Sequence, residues 1–207
     1  MKVVITGGAG FLGTHMVRHF TENGIKAVPF DVRPGEGVAN VDVTSKAEVK
    51  SNLKWFKPDA VVHLAALAGA AGKGGGVESL KDPYGFIHVN VLGTLNILES
   101  CRELGIKKVE IMSSFSPYGK ADCPITESTP LCPENPYGAS KACVETMAKV
   151  YARCYGIKTL VFRVPLICGE GQKEMNALRE FVACAVKGEP LVVWGDGTTL
   201  REFIHPS

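Results

Sequence analysis

An α/β fold, a doubly wound parallel sheet covered by helices on both faces, is what the amino-acid sequence predicts. Three observations carry that prediction. Short runs rich in β-branched residues alternate along the chain with longer segments of helical period. A glycine-spaced turn joins the first such run to the first helical segment. The 207-residue chain is 45% hydrophobic and 21% charged, a balance that supports one core of ordinary globular size and excludes a disordered chain.

Taken in order, the strands are expected at 3–6, 27–31, 60–63, 108–112 and 159–163. The helices are expected near 10–23, 46–57, 83–104 and 136–155, the last carrying apolar residues at i, i+3 and i+4. Right-handed crossovers between parallel strands then wind helices onto the two faces of one sheet. Residues 68–77 are too rich in glycine for a regular element and read as a loop after the third strand. Such a loop either lines the ligand crevice or is a glycine-tolerant surface segment.

Lys and Arg number 23 against 21 Asp and Glu, so a formal charge of +2 gives no electrostatic footprint for nucleic acid or an acidic membrane. The seven cysteines are odd in number, contain no C-x-x-C pair and offer no zinc-ligand spacing, so the reading is reduced thiols and no metal. The opening apolar run is too short for a signal segment, and no stretch approaches the length of a membrane span. A soluble, cytoplasmic protein is expected.

The first strand leads directly into Thr6-Gly7-Gly8-Ala9-Gly10-Phe11-Leu12-Gly13. Gly7 permits the tight turn, Gly10 lets backbone approach a pyrophosphate, and Gly13 lets the helix pack closely on the strand. The helix start adds N–H donors, with Phe11 and Leu12 at its first positions, and a partial positive charge. Asp31 ends the second strand eighteen positions beyond Gly13, where a carboxylate can accept both hydroxyls of an adenosine ribose and repel a 2′-phosphate. The cofactor reading is therefore NAD, with Arg33 as the neighbouring cation that complicates it. Asp42 with Val43 either contacts the adenine or, as Asp residues in loops often do, caps the next helix.

Tyr137 and Lys141 lie four apart within Asn135-Pro136-Tyr137-Gly138-Ala139-Ser140-Lys141 and share a helix face. A nearby ammonium lowers the pKa of a phenol and fits Tyr137 to exchange a proton with a substrate hydroxyl. Lys141 can also bond a nicotinamide ribose. Ser113-Ser114-Phe115-Ser116 follows the fourth strand, at the edge of the sheet where ligands bind, and offers a hydroxyl to the reacting oxygen.

With these motifs in hand, the chain resembles an extended short-chain dehydrogenase/reductase of the NAD-dependent sugar-nucleotide epimerase/dehydratase type, which carries a Rossmann-type sheet. The carrying motifs are the glycine turn, His63-Leu64-Ala65-Ala66, Asn90-Val91-Leu92-Gly93-Thr94, Ser113-Ser114, Pro136-Tyr137-Gly138-Ala139-Ser140-Lys141, and Gly195-Asp196-Gly197 through Arg201-Glu202-Phe203-Ile204-His205. The resemblance implies Ser114 as catalytic hydroxyl, Tyr137 as general base and Lys141 as the lysine that positions cofactor. It implies further cofactor contacts at Leu64, Ala65, Ala66, Ser113 and Val164. Asn90 is implied behind the active site, or is simply a polar residue on a helix face. Arg201 is implied as a partner of the substrate diphosphate, or is a surface arginine beside Glu202.

Dehydratases of this type resemble one another in an Asp-Glu pair just after the catalytic hydroxyl, where this chain has Phe115 and Ser116. The resemblance therefore implies a nucleotide-sugar epimerase that inverts a hydroxyl, at C4 of a UDP-hexose, through a transient keto sugar. Two alternatives are an NAD-dependent dehydrogenase or reductase of a sugar and a cofactor-binding protein without turnover. Leu166 stands where many such proteins carry an asparagine that touches the nucleotide-sugar. The expected domains are 1–168 for NAD binding and 169–207 for the start of a substrate lobe that is truncated relative to the family. A homodimer through the helices near 83–104 and 136–155 is the expected assembly.

Overall fold

The computed structural model describes residues 1–68, 77–122, 124–172, 176–193, 195–198 and 200–206. Most of the glycine-rich stretch 68–77, and Cys123, lie outside the described residues. Five parallel strands form where the sequence places them: β1 (Lys2–Thr6), β2 (Lys26–Asp31), β4 (Ala60–His63), β5 (Lys108–Ser114) and β6 (Lys158–Val164). A short β3 (Ala39–Asn40) adds an edge, giving the order β3-β2-β1-β4-β5-β6. Every ladder in this sheet is parallel. The chain builds outward from β1 in one direction, then returns to β4 and builds outward in the other. The crevice between β1 and β4, at the carboxyl edge, is the switch point where such sheets bind ligands.

Alternation along β1 divides the core. Val4 joins Val28, Phe30, Val61, Val109 and Ile111 on one face. That face is covered by α2 (Lys46–Phe56) through Val49 and Leu53, α5 (Gly93–Leu104) through Ile97 and Leu98, and α6 (Pro136–Tyr155) through Val144 and Ala148. Val3, Ile5 and Val62 point the other way, against Met16, Val17 and Phe20 of α1 (Phe11–Glu22). Helices thus lie on both faces of the parallel sheet, as the sequence predicts. Leu160 and Phe162 of β6 stay 55% and 40% exposed, and α7 (Ala177–Lys187) buries none of its own residues.

The helix expected over 83–104 is composite. A short α3 (Val77–Lys81) precedes it, and α4 (Pro83–Phe86) starts on Asp82, whose side chain accepts from the Gly85 N–H with Pro83 at the first helical position. The path then widens to a π-helix at Ile87–Leu92 before α5 resumes. Such widenings gather at functional sites, and this one carries Asn90. The helix α2 is capped by Ser45, not Asp42. Asp42 sits three residues earlier and accepts from both the N–H and the hydroxyl of Thr44, each at 2.8 Å. A second, two-stranded sheet pairs β7 (Leu166–Ile167) with β8 (Phe203–Ile204), bringing the segment after Arg201 beside the chain that leaves β6.

Candidate active site

The cradle at the end of β1 is made of backbone. Gly7 adopts φ +69°, and a Cβ there would lie 2.8 Å from the Ala65 nitrogen, so the turn and the loop after β4 approach more closely than any side chain allows. Gly13 is tighter still, since its Cβ would stand 2.2 Å from the Gly7 carbonyl oxygen. Gly10 is the N-cap of α1 and supplies no side-chain acceptor to the first turn, which leaves the N–H groups of Phe11 and Leu12 at an uncapped, positive helix end. The uncapped turn, the missing Cβ atoms and a carboxylate at the end of β2 fit a dinucleotide diphosphate.

Asp31 is that carboxylate, and it is buried. The Ala9 N–H donates to its Oδ2 at 3.0 Å, while Arg33 donates from its backbone N–H and Nε to Oδ1 and from Nη2 to Oδ2, at 2.9 to 3.0 Å. Burial pushes the carboxyl up, but these hydrogen bonds and the Arg33 charge outweigh it and hold the group below its ordinary value.

Beneath the cradle runs a buried chain of hydroxyls through His63. Thr94 donates to the Asn90 carbonyl at 2.6 Å, so its oxygen accepts from His63 Nε2 at 2.9 Å. That places the ring proton on Nε2 and leaves Nδ1 to accept from the Thr6 hydroxyl at 2.7 Å. Thr6 in turn accepts from the Ala65 N–H. Burial, with Lys141 nearby, holds His63 down at about 3, so the ring is neutral. Leu64 continues β4, its N–H donating to the Thr6 carbonyl, and Ala66 follows in the loop after the strand. Asn90 is a tie, not a helix-face residue: its amide donates to the Leu67 carbonyl and the Ser140 hydroxyl, and its oxygen accepts from the Leu67 N–H at 2.8 Å. It therefore locks the loop after β4 to α6.

The second half of the site is built of side chains on β5 and α6. Asn135 caps α6, with Pro136 at the first helical position, and Tyr137 stands one residue inside. The phenol stands beside Ser114 at the end of β5, whose hydroxyl bonds Ser116, and its ring meets Phe86 edge-on with centroids 6.0 Å apart. Burial pushes the Tyr137 hydroxyl up, and the neighbouring Ser114 pulls it partly back. Lys141, one helical turn further along, donates from its Nζ to the Met112 carbonyl at 2.8 Å, which holds the ammonium on the β5 side of the helix. Burial pulls the lysine itself down to about 8, against the opposing charge of Glu145.

Two positions expected at the cofactor spend their side chains elsewhere. Ser113 donates its hydroxyl to Glu145 at 2.5 Å and faces α6, leaving only backbone to the crevice. Val43 is buried against α5, where a Cβ on Gly93 would meet its Cγ2 at 2.9 Å, and its carbonyl accepts from Asn96. Val164 ends β6 and its carbonyl accepts from the Phe115 N–H. Arg201 is exposed two residues before β8, and among the described residues it pairs with no carboxylate.

Sequence reasoning missed the support behind Ser114. Ser113 and Arg163 lie opposite each other in the β5–β6 register, and Glu145 descends on both from α6. Arg163 grips Glu145 through Nε and Nη2, at 2.7 to 3.1 Å, and reaches the Tyr118 hydroxyl at 2.7 Å through Nη1. The available signal was spacing, since Tyr137, Lys141 and Glu145 repeat every four residues along one face of α6.

Comparison with known proteins agrees with this construction. The model of the NAD dependent epimerase/dehydratase family matches residues 3–207. A UDP-glucose 4-epimerase of Streptococcus mutans is 31% identical, covering 100% of this chain and 68% of its own length. A dTDP-glucose 4,6-dehydratase of Neisseria meningitidis is 28% identical, with 98% of this chain and 63% of the relative covered. Among solved structures, the Thermus thermophilus UDP-glucose 4-epimerase in complex with NAD superposes with a TM-score of 0.86 at 30% identity, over 100% of this chain and 71% of the other. The Thermotoga maritima UDP-glucose 4-epimerase with UDP-glucose gives 0.88 at 27%, over 100% and 70%. The chain thus spans about two thirds of the length of such relatives and, on its whole described extent, belongs to the NAD dependent epimerase/dehydratase family.

Proposed function

We propose that this chain is the cofactor-binding and catalytic part of an NAD-dependent nucleotide-sugar epimerase that inverts C4 of a UDP-hexose. One observation carries the reading: Ser114 and Tyr137 stand side by side at the carboxyl edge of the sheet, one helical turn from a buried Lys141, in the same crevice as the glycine cradle and Asp31. Solved relatives carry NAD, and one carries UDP-glucose.

Gly7, Gly10, Phe11, Leu12 and Gly13 would hold the diphosphate through backbone, and Asp31 the adenosine ribose. The strand-end residues Leu64, Ala65, Ala66, Ser113 and Val164 would line the nicotinamide side, with Asn90 fixing their loop from behind. Asp42 and Val43 would face the adenine through backbone and the Asp42 carboxylate. NAD, when bound, supplies the hydride acceptor and donor and a positive ring beside the phenol. Tyr137 takes the proton from the C4 hydroxyl and returns it, while Ser114 hydrogen-bonds the same oxygen. Lys141, held on the Met112 carbonyl, is placed to bond the nicotinamide ribose and to present its charge beneath the phenol. A keto sugar that rebinds by its other face then receives hydrogen and proton on the opposite side.

A dehydratase needs an added acid and base after the catalytic hydroxyl. Here Phe115 packs edge-on against Tyr118 and Ser116 bonds Ser114, so those positions bring no carboxylate. Residues 1–168 would form the cofactor domain and 169–207 enter the substrate lobe, with Arg201 reaching for the diphosphate. The exposed faces of Leu95 and Val150 support dimerisation through α5 and α6. Among the described residues no helix is long and apolar enough to cross a membrane, which accords with a cytoplasmic setting. Incubation with NAD and UDP-glucose, following both sugar products and free NADH, tests the proposal. UDP-galactose without accumulating NADH is expected. Accumulating NADH would instead establish a dehydrogenase, and bound NAD with no product a chain without turnover.

A further inference from the structure

The carboxylate that is to receive the adenosine ribose is already full. Oδ1 of Asp31 accepts from the backbone N–H and the Nε of Arg33, and Oδ2 accepts from the Ala9 N–H and the Arg33 Nη2. Two donors on each oxygen use all the in-plane lone pairs a carboxylate offers. The Ala9 and Arg33 backbone N–H groups are fixed by the turn. Two ribose hydroxyls can therefore be accepted only where Nε and Nη2 let go. The two partners differ in freedom: the Asp31 side chain is 4% exposed, while that of Arg33 is 59% exposed. The arginine is the one that moves. Its Nη2 also lies 3.1 Å from the place of a Cβ on Gly10, so the guanidinium stands over the turn that faces the phosphates.

A lone Asp at this position rejects a 2′-phosphate by charge. Here the Ala9 and Arg33 backbone N–H groups stay on the carboxylate when the guanidinium lets go, and the displaced guanidinium remains tethered two residues away, close enough to offset that charge. Its planar fork suits a phosphate better than any single hydroxyl. We propose that Arg33 sets the choice of cofactor: it bonds Asp31 at the positions the ribose would take and, once displaced, clamps the 2′-phosphate of a phosphorylated dinucleotide, so that this chain binds NADP as well as NAD. The inference rests on the dinucleotide reading of the cradle.

Calorimetric titration of the wild type, Arg33→Ala and Arg33→Lys with NAD, NADP and adenosine 2′,5′-bisphosphate tests it without recourse to turnover. The wild type is expected to bind the two dinucleotides with Kd values within about tenfold of each other. Arg33→Ala should bind NAD as tightly or more tightly, since a competing donor is gone, and weaken NADP and the bisphosphate by about tenfold or more. Arg33→Lys, which keeps the charge and loses the fork, should fall between. A NADP-to-NAD ratio that stays within twofold of the wild type in Arg33→Ala overturns the proposal, as does equal weakening of both. A wild type that binds NAD and excludes NADP defeats the proposal alone. Binding of neither dinucleotide defeats the cradle reading beneath it.

Discussion

At the β1 end of the crevice the chain presents backbone, whereas at the β5–α6 end it presents side chains held in place by other side chains. The cradle depends on what is missing, two Cβ atoms that would meet the Ala65 nitrogen and the Gly7 oxygen. The proton-transfer half depends on what is added, a buried Glu145 whose oxygens take up Ser113 and Arg163 behind the Ser114–Tyr137 pair. A backbone site fails when anything is inserted into it. A side-chain site fails when a supporting partner is taken away. Perturbing each end in its own way separates the two.

The largest effect is expected from Gly13→Val. Its Cβ would stand 2.2 Å from a backbone oxygen that cannot swing aside, so α1 must move off β1. NAD binding should be lost in calorimetry and the melting temperature should fall sharply, whereas Gly24→Val, which meets nothing within 4 Å but sits at φ +72°, should lower the melting temperature through backbone strain and leave NAD binding intact. Removal at the other end comes next. Arg163→Ala leaves Glu145, 3% exposed, without its cation, and should cost about 3–5 kcal/mol in urea denaturation. NAD affinity of the folded fraction should stay near wild type, because the cradle does not touch the network. An effect of Arg163→Ala on NAD binding as large as that of Gly13→Val would show that the two halves are one unit.

That difference in construction also decides what could be read from the sequence. Gly7, Gly10 and Gly13 act through local geometry, and local geometry has a spacing, so the cradle, Asp31 and the five main strands are legible in the sequence. Glu145, Arg163 and Tyr118 act across β5, β6 and α6, and only the register that sets Ser113 opposite Arg163 brings them together. Lys141 shows the same limit. Four-residue spacing places it on the face of Tyr137, but the Met112 carbonyl, out of reach of any helical period, takes its ammonium. Asp42 reads in the sequence as an adenine contact or as the cap of the next helix, and Ser45, three residues on, takes the capping role because the Asp42 carboxylate is turned back onto Thr44.

Tyr137→Phe sharpens the comparison on the chemical side. Deleting one hydroxyl should reduce kcat by about 10²–10⁴-fold while NAD affinity stays within about threefold, since the phenol carries the proton and the cradle carries the cofactor. A variant with full turnover would remove Tyr137 from the role given to it.

The smallest effect concerns the buried chain that joins the halves. His63 is held neutral down to about 3, whereas an unfolded histidine takes a proton near 6.5. Between those values the unfolded state binds a proton that the folded state refuses, so stability falls as pH drops below about 6.5, by up to about 1.4 kcal/mol per pH unit from this ring. Urea melts from pH 7 to 5 should show this slope, and His63→Gln should flatten it. An unchanged slope would assign the acid sensitivity to other groups.

The central claim is that hydrogen leaves and returns to the same sugar carbon within one closed cycle at the Ser114–Tyr137–Lys141 site. Incubating the chain with NAD and UDP-glucose deuterated at C4, then examining the sugar by mass spectrometry, tests it most directly. The account predicts UDP-galactose that keeps its deuterium at C4, with no conversion by Tyr137→Phe. Epimer that has lost the label, or a keto sugar released together with deuterated NADH, would contradict it.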